Sequence, residues 1–440
     1  MISEFISANS VGVSAGLLLL AYVFIALEKI PKMTIALIGA AITIVLGLVS
    51  QSKVLSDGVL NPHYFINFVD FNVIFLLVAM MIIVAITTKS GVFNWIANEL
   101  LKFTKGHPVK VLFALGFFTA ITSAFLDNVT TVILIMPITF VIAKKLDIDP
   151  IPYLLTEIFT SNIGGTATLI GDPPNIIIGS AGGLSFMEFI KELTPAVAVI
   201  LIVVVCLLAF IFKNKLVASA EKMAEVAQID NSKTITNWNL MLRSTIILGL
   251  VILGFMLHDV IHVETCVVAM LGASLLLIFE KPNEILKDVE WNTIFFFVGL
   301  FIIIGGLEAS GGIKLMAEWI LKVTQGSQSA TSMIILWASG IISGIIDNIP
   351  YTATMAPMLV EIQKTMGESY TYPLWWALSL GACLGGNMTI IGAAANVIVS
   401  ENAYKHGYPI SFMRFLKYGV VIVAISLAIS TAYLYLKFLK

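Results

Sequence analysis

The sequence predicts an all-α polytopic membrane protein built from two inverted repeats, each with five transmembrane spans (one of them broken) and one re-entrant hairpin. Three observations predict it: a lipid-compatible composition, a series of apolar runs long enough to cross a bilayer, and an internal repeat at a constant offset. Of 440 residues, 58% are hydrophobic and 12% are charged, with a mean hydropathy of +0.98. Soluble domains carry about 25% charged residues, so this chain cannot cover itself with a water-compatible surface. The net charge of −2 is uninformative by itself, and no basic patch of the kind that binds nucleic acid is present, so no nucleic-acid partner is expected. Cys206, Cys266 and Cys383 are far apart inside apolar runs, and read as buried packing residues rather than disulfides or a metal cluster.

Taken along the chain, residues 11–27 form the first span. No basic segment precedes them (Glu4 is the one charge before Glu28) and no small-residue cleavage site follows, so they do not read as a leader. Further spans are expected at 33–49, 71–88, 152–180, 195–212, 243–258, 264–279, 291–307, 374–400 and 417–436. Two other apolar regions, 110–143 and 331–363, are each interrupted by a polar tip, Asp127-Asn128-Val129-Thr130-Thr131 or Asp347-Asn348-Ile349-Pro350-Tyr351-Thr352. Polar backbone at that depth must line a cavity or be buried in protein, so both read as hairpins that leave on the side they entered.

Alternating the spans puts 18 of the 25 basic residues on one face and 7 on the other. By the positive-inside rule the richer face is cytoplasmic, which places both termini outside a plasma (inner) membrane. Lys53 and Lys233 enter this count. The polar stretch 213–242 becomes a cytoplasmic linker between a first repeat, 1–212, and a second, 243–440.

Residues 71–137 align with 291–357 at an offset of 220 without a gap, 18 of 67 positions being identical. The matches keep polar and backbone-special residues in register: Asn72/Asn292, Ser90/Ser310, Gly91/Gly311, Asp127/Asp347, Asn128/Asn348 and Pro137/Pro357. The pattern resumes at offset 221 with Gly164/Gly385, Gly165/Gly386, Thr168/Thr389 and Asn175/Asn396. Five spans per repeat is an odd number, so the second half enters from the opposite side. Inverted repeats with discontinuous helices are the construction expected of an alternating-access carrier, and not of an enzyme. Gly12-Val13-Ser14-Ala15-Gly16 matches a hydrolase string, but it opens a span with no histidine near it.

The candidate binding residues lie at the four interruptions. At the tips, Asp127, Asn128, Thr130, Asp347, Asn348 and Thr352 can hold a cation or proton; the aspartates can also cap the second hairpin arm, and both roles are compatible. At the breaks, Asn162, Gly164, Gly165, Thr166, Thr168, Asp172 and Asn175 are the candidates in the first repeat, and Gly385, Gly386, Asn387, Thr389 and Asn396 in its partner. Glycines there let the backbone unwind, and Pro173-Pro174 suits the first turn of a restarting half-helix. Asp172 has Ala393 as its counterpart, so the half-sites differ. Glu157 is a fourth proton-coupling candidate beside Asp127, Asp347 and Asp172, or else pairs with a lysine such as Lys144. The five histidines, His63, His107, His258, His262 and His406, fall in loops or at span ends and read as solvated surface, not metal ligands.

The strings 123–131, 163–175, 347–354 and 381–387 resemble the ion transporter superfamily, and within it the arsenite-pump and NhaD-type sodium/proton antiporter branch that includes the P protein. The resemblance implies a fixed scaffold, a mobile domain carrying hairpins and broken helices, and a homodimer through scaffold helices. For an arsenite pump it also implies a partner ATPase subunit. Where related dicarboxylate carriers place Ser-Asn-Thr, this chain has Asp127-Asn128-Val129 and Asp347-Asn348-Ile349. An ionised aspartate repels a carboxylate substrate. The expected activity is therefore ion-coupled export, with a proton or sodium as coupling ion and no cofactor, of a small inorganic species or neutral oxyacid such as arsenite or antimonite. A sodium/proton antiporter, an anion or dicarboxylate permease of the same superfamily and an ion channel are the alternatives.

Overall fold

A computed structural model describes residues 6, 8–27, 29–49, 65–227 and 234–440. Glu4, Glu28, Lys53, His63 and Lys233 lie outside them. Every regular element among the described residues is helical, and nine helices are long and apolar enough to cross a membrane. The chain is a multi-pass membrane protein.

The first half runs α1 (Ser10–Leu27), α2 (Lys32–Val45), α3 (Phe71–Lys89), α4 (Val92–Thr104), α5 (Pro108–Phe125), α6 (Asn128–Leu146), α7 (Ile151–Gly165), α8 (Pro173–Gly182) and α9 (Phe186–Phe212). After the short linker helix α10 (Ala220–Ala227), the second half follows the same plan. Its helices are α11 (Trp238–Met256), α12 (Thr265–Leu277), α13 (Trp291–Ala309), α14 (Gly312–Val323), α15 (Gln328–Ile346), α16 (Asn348–Met366), α17 (Glu368–Gly385), α18 (Ala394–Lys405) and α19 (Phe412–Phe438).

Two packing bundles result. In one, α2 packs on α13 and α12 on α3, with α1 and α11 alongside. In the other, α5 packs on α7 and α15 on α17, with α9 and α19 against the broken helices. Small residues permit the close approaches. Gly39 of α2 lies against Ile303 of α13, and Gly272 of α12 against Ile83 of α3. Since Ile83 and Ile303 are 220 apart, these contacts register α2 on α12, with Lys32 matched to Thr265 and Pro31 to Glu264. This correspondence lies outside the stretch that aligns by sequence.

Two features depart from the expected spans. Helices α2 and α12 have 14 and 13 residues, about 20 Å at 1.5 Å per residue, against a core of roughly 30 Å. Residues 92–104 and 312–323, expected only as connections, form the paired helices α4 and α14. Each starts after a glycine in the left-handed region, Gly91 at φ +82° and Gly311 at φ +83°. At Gly91 a side chain is also excluded by space, because a Cβ would sit 2.1 Å from the Thr234 carbonyl oxygen.

The linker is tied to the first hairpin by Lys222 and Asp147, 2.5 Å apart at the surface. Lys222 holds the Asp147 carboxyl below the usual aspartate range. Of the cysteines, Cys266 and Cys383 are buried but Cys206 is exposed on the outer face of α9, correcting the expectation of three buried packing residues.

Candidate functional site

Each hairpin turns at its aspartate. Asp127 ends the approach of α5 and caps α6: Oδ1 accepts from the Thr130 N–H at 2.8 Å and Oδ2 from the Thr130 hydroxyl at 2.5 Å. Asp347 cannot repeat this, because the position of Thr130 is taken by Pro350, which has no N–H. It caps α16 through the Ile349 N–H at 3.1 Å, with φ at +117°, and its Oδ2 meets the Lys32 ammonium at 2.6 Å. One sequence difference thus gives two symmetry-related acids different partners.

The breaks between α7 and α8 and between α17 and α18 are built on a shared pattern. The Asn175 amide donates to the carbonyls of Thr166 and Thr168 at 3.1 and 2.9 Å, and Asn396 to those of Gly386 and Thr389 at 2.7 and 2.8 Å. The Thr168 hydroxyl donates to the Ala124 carbonyl and the Thr389 hydroxyl to that of Gly344, pinning each break to a hairpin arm. The Thr166 hydroxyl donates to the Asn162 carbonyl at 2.8 Å. Gly164 and Gly385 let the paired arms touch, since a Cβ on Gly164 would lie 2.1 Å from the Ala120 carbonyl oxygen and one on Gly385 2.5 Å from that of Gly340. A Cβ on Gly165 would lie 2.6 Å from the Gly171 carbonyl oxygen, and one on Gly386 3.1 Å from that of Gly392. Asn175, Asn396, Thr168 and Thr389 therefore hold backbone.

Other asparagines join the halves. The Asn162 amide donates to Asn387 Oδ1 at 2.8 Å and Asn396 Oδ1 at 2.9 Å, and its oxygen accepts from Asn128 at 3.0 Å. At the next position outward Asn128 and Asn348, one from each tip, both donate to Asp172, at 3.3 and 3.2 Å. Asp172 is buried, and it stands where the N-termini of α8 and α18 converge. Two symmetric amides and the N-terminus of α8 thus meet one acid that has no symmetry mate.

A cavity of about 290 Å³ opens on this cluster. Asp127, Asn128, Asp172, Asp347 and Asn348 reach it, with Lys32 of α2 and Glu290, Asn292 and Thr293 at the start of α13. Its charged walls hold four acids and one base. On the opposite face a second cavity, about 230 Å³, has as its rim Asn72, Val73, Glu264 and Thr265, the symmetry equivalents of Asn292, Thr293, Pro31 and Lys32. That rim faces Ile176, Gly179 and Ser180 of α8 instead of the tips. The equivalent helix ends therefore meet the polar cluster on one face only, and the structure is open on the face where α2 and α13 begin.

Thr130, Thr352 and Glu157 are outside the first cavity. Thr352 is buried and its hydroxyl has no hydrogen-bond partner among the described residues. Glu157 is fully buried on α7 and takes a hydrogen bond from the Thr139 hydroxyl, not from Lys144. Lys32 and Glu290 were not singled out by sequence. A lysine in the first turn of a helix opposes the helix dipole, and that signal points to an acidic partner for Lys32.

Residues 22–381 match the family described as citrate transporter, CitMHS. The chain belongs to the CitMHS family. Relatives over nearly the whole length include an uncharacterized transporter of Mycobacterium tuberculosis, 41% identical over 95% of this chain and 96% of the relative. The 46 kDa membrane protein of Mycobacterium leprae is 40% identical with the same coverage. The P protein of Mus musculus is 31% identical over 97% of this chain, which spans 60% of that longer protein. The crystal structure of the Alcanivorax borkumensis YdaH transporter shares the fold, with a TM-score of 0.59 at 13% identity, covering 96% of this chain and 98% of that one. This CitMHS-family protein is a membrane transporter, not an enzyme.

Proposed function

We propose that this transporter is an alternating-access secondary carrier that couples proton or sodium movement to export of a small neutral oxyacid such as arsenite or antimonite. The observation that carries the reading is the Asp172 cluster, two symmetric asparagines on one acid in a cavity walled by Asp127, Asp347 and Glu290. Four acids, Asp172 among them, against Lys32 give a cavity that attracts cations and repels a free polycarboxylate, whereas a neutral hydroxylated species meets Asn128 and Asn348 without a charge penalty. The skewed distribution of lysines supports a reading in which the cavity opens to the cytoplasmic side of the plasma membrane and both termini lie outside. The apolar outer faces of α1 and α11, with Leu20 and Leu250 more than half exposed, suit lipid or a second copy in a homodimer.

The family match favours a second reading. A carboxylate such as citrate can occupy this site only with enough accompanying cation or proton to neutralise the acids, and a divalent cation such as magnesium is one way to supply it. Proteoliposomes under an imposed pH gradient separate the two. Arsenite-driven proton movement that is lost in Asp172→Asn supports the oxyacid reading. Citrate uptake indifferent to Asp172→Asn and to added magnesium overturns both.

A further inference from the structure

The Lys32–Asp347 pair crosses between the two bundles. Lys32 starts α2, Asp347 turns the second hairpin, and the nitrogen and oxygen are 2.6 Å apart with the Asp347 side chain 2% exposed. Beside it, Tyr22 of α1 donates to the Pro350 carbonyl at 2.6 Å, so the same tip is held twice by the scaffold. Breaking an ion pair at this depth leaves a carboxylate without its counter-charge, so the contact weighs on whichever arrangement contains it.

Inverted symmetry says what the opposite arrangement must contain. The register set by Gly39 on Ile303 and Gly272 on Ile83 maps Lys32 onto Thr265, and the repeat maps Asp347 onto Asp127. When the cavity opens on the other face, Asp127 therefore approaches Thr265, with Glu264 beside it. Among the described residues lining that cavity there is no lysine or arginine, and the one histidine, His258, has its Nδ1 2.7 Å from the Val263 carbonyl oxygen. Asp127 does not need a cation for its own cap, because Thr130 satisfies both its oxygens; Pro350 denies that arrangement to Asp347.

Building on the alternating-access reading, we propose that Lys32 is an intramolecular counter-cation that latches the transporter in the state open toward the face where α2 begins, with no equivalent latch in the opposite state. A cation or proton that binds Asp347 competes with the Lys32 ammonium, so its arrival releases the latch. Asp127, Asp172 and Glu290, which line the same cavity, draw that cation in.

The test measures access. Single cysteines are introduced on the two cavity walls, Ile398→Cys in the first and Ser180→Cys in the second, in full-length protein carrying Cys206→Ser. Labelling rates with a soluble maleimide are compared. Lys32→Thr should lower the Ile398→Cys to Ser180→Cys rate ratio by about tenfold, as expected when one state loses a half-buried ion pair whose carboxylate is shielded from solvent. Adding Thr265→Lys to Lys32→Thr should move the ratio further the same way, because it builds the mirror pair with Asp127. A ratio unchanged within about twofold in a folded Lys32→Thr protein overturns the latch. Should Lys32→Thr fail to fold, Thr265→Lys alone must lower the ratio, and an unaltered ratio there overturns the latch equally. Flux through the unmodified protein tests the carrier reading separately: an inactive parent refutes that reading, while unaltered ratios in an active carrier refute the latch alone.

Discussion

Positions 162 and 383 are symmetry mates that differ in chemistry, and the structure predicts very different costs for losing them. Replacing Asn162 with leucine, close to it in volume, removes its hydrogen bonds to Asn387 and Asn396 and the one it accepts from Asn128. Asn128 keeps Asp172, but among the described residues no other donor reaches Asn387 Oδ1 or Asn396 Oδ1. Both acceptors are fully buried. Leaving a buried acceptor unsatisfied costs about 1–3 kcal/mol, so two of them predict a loss of roughly 2–6 kcal/mol. At the mate, the Cys383 thiol donates weakly to Asn175 Oδ1 at 3.4 Å, and that oxygen still accepts from Ser379 at 2.6 Å. Cys383→Ala should cost about 1 kcal/mol or less. Thermal and denaturant unfolding in detergent would compare the single variants and the Asn162→Leu/Asn387→Leu double, whose cost should fall short of the sum of its parts because one orphan is removed. Equal losses at 162 and 383, or strict additivity in the double, would refute the reasoning.

Gly164→Ala should destabilise by about 1–3 kcal/mol or prevent folding, because the added methyl meets the Ala120 backbone rather than a movable side chain; thermal unfolding checks it. Asp172→Asn keeps the shape of the cluster but removes its charge, and should abolish ion-coupled flux in proteoliposomes while the protein still elutes as a folded species. The Lys222–Asp147 pair is exposed and screened, so Lys222→Met should leave the unfolding temperature unchanged. Because Lys222 depresses the Asp147 titration, any contribution is present at neutral pH and fades as pH falls through the lowered range. A Lys222→Met loss confined to neutral pH would show that the pair matters more than its exposure allows.

What the sequence determined by itself follows from properties that survive unfolding. Lipid as solvent is a matter of composition. The paired tips and breaks were legible because Asp, Asn, Gly and Pro at membrane depth are costly enough to stand out, and the repeat keeps them in register. The local caps at Asp127 and Asp347 were legible for the same reason, since capping acts over three residues. Only the tertiary structure decided which of these side chains meet. Asn175 and Asn396 turn inward to hold carbonyls, while Asn128 and Asn348, far apart in the chain, converge on Asp172. Lys32, counted from sequence merely as a charge on one face, became a partner of Asp347 because packing of α2 on α13 brings it there. The correspondence of Lys32 with Thr265 is set by the two glycines that touch Ile303 and Ile83, and the same offset pairs Ala36 with Ala269, Gly39 with Gly272 and Ala40 with Ala273. Local pattern sets which residues are expensive to bury, and long-range packing sets what they are buried against.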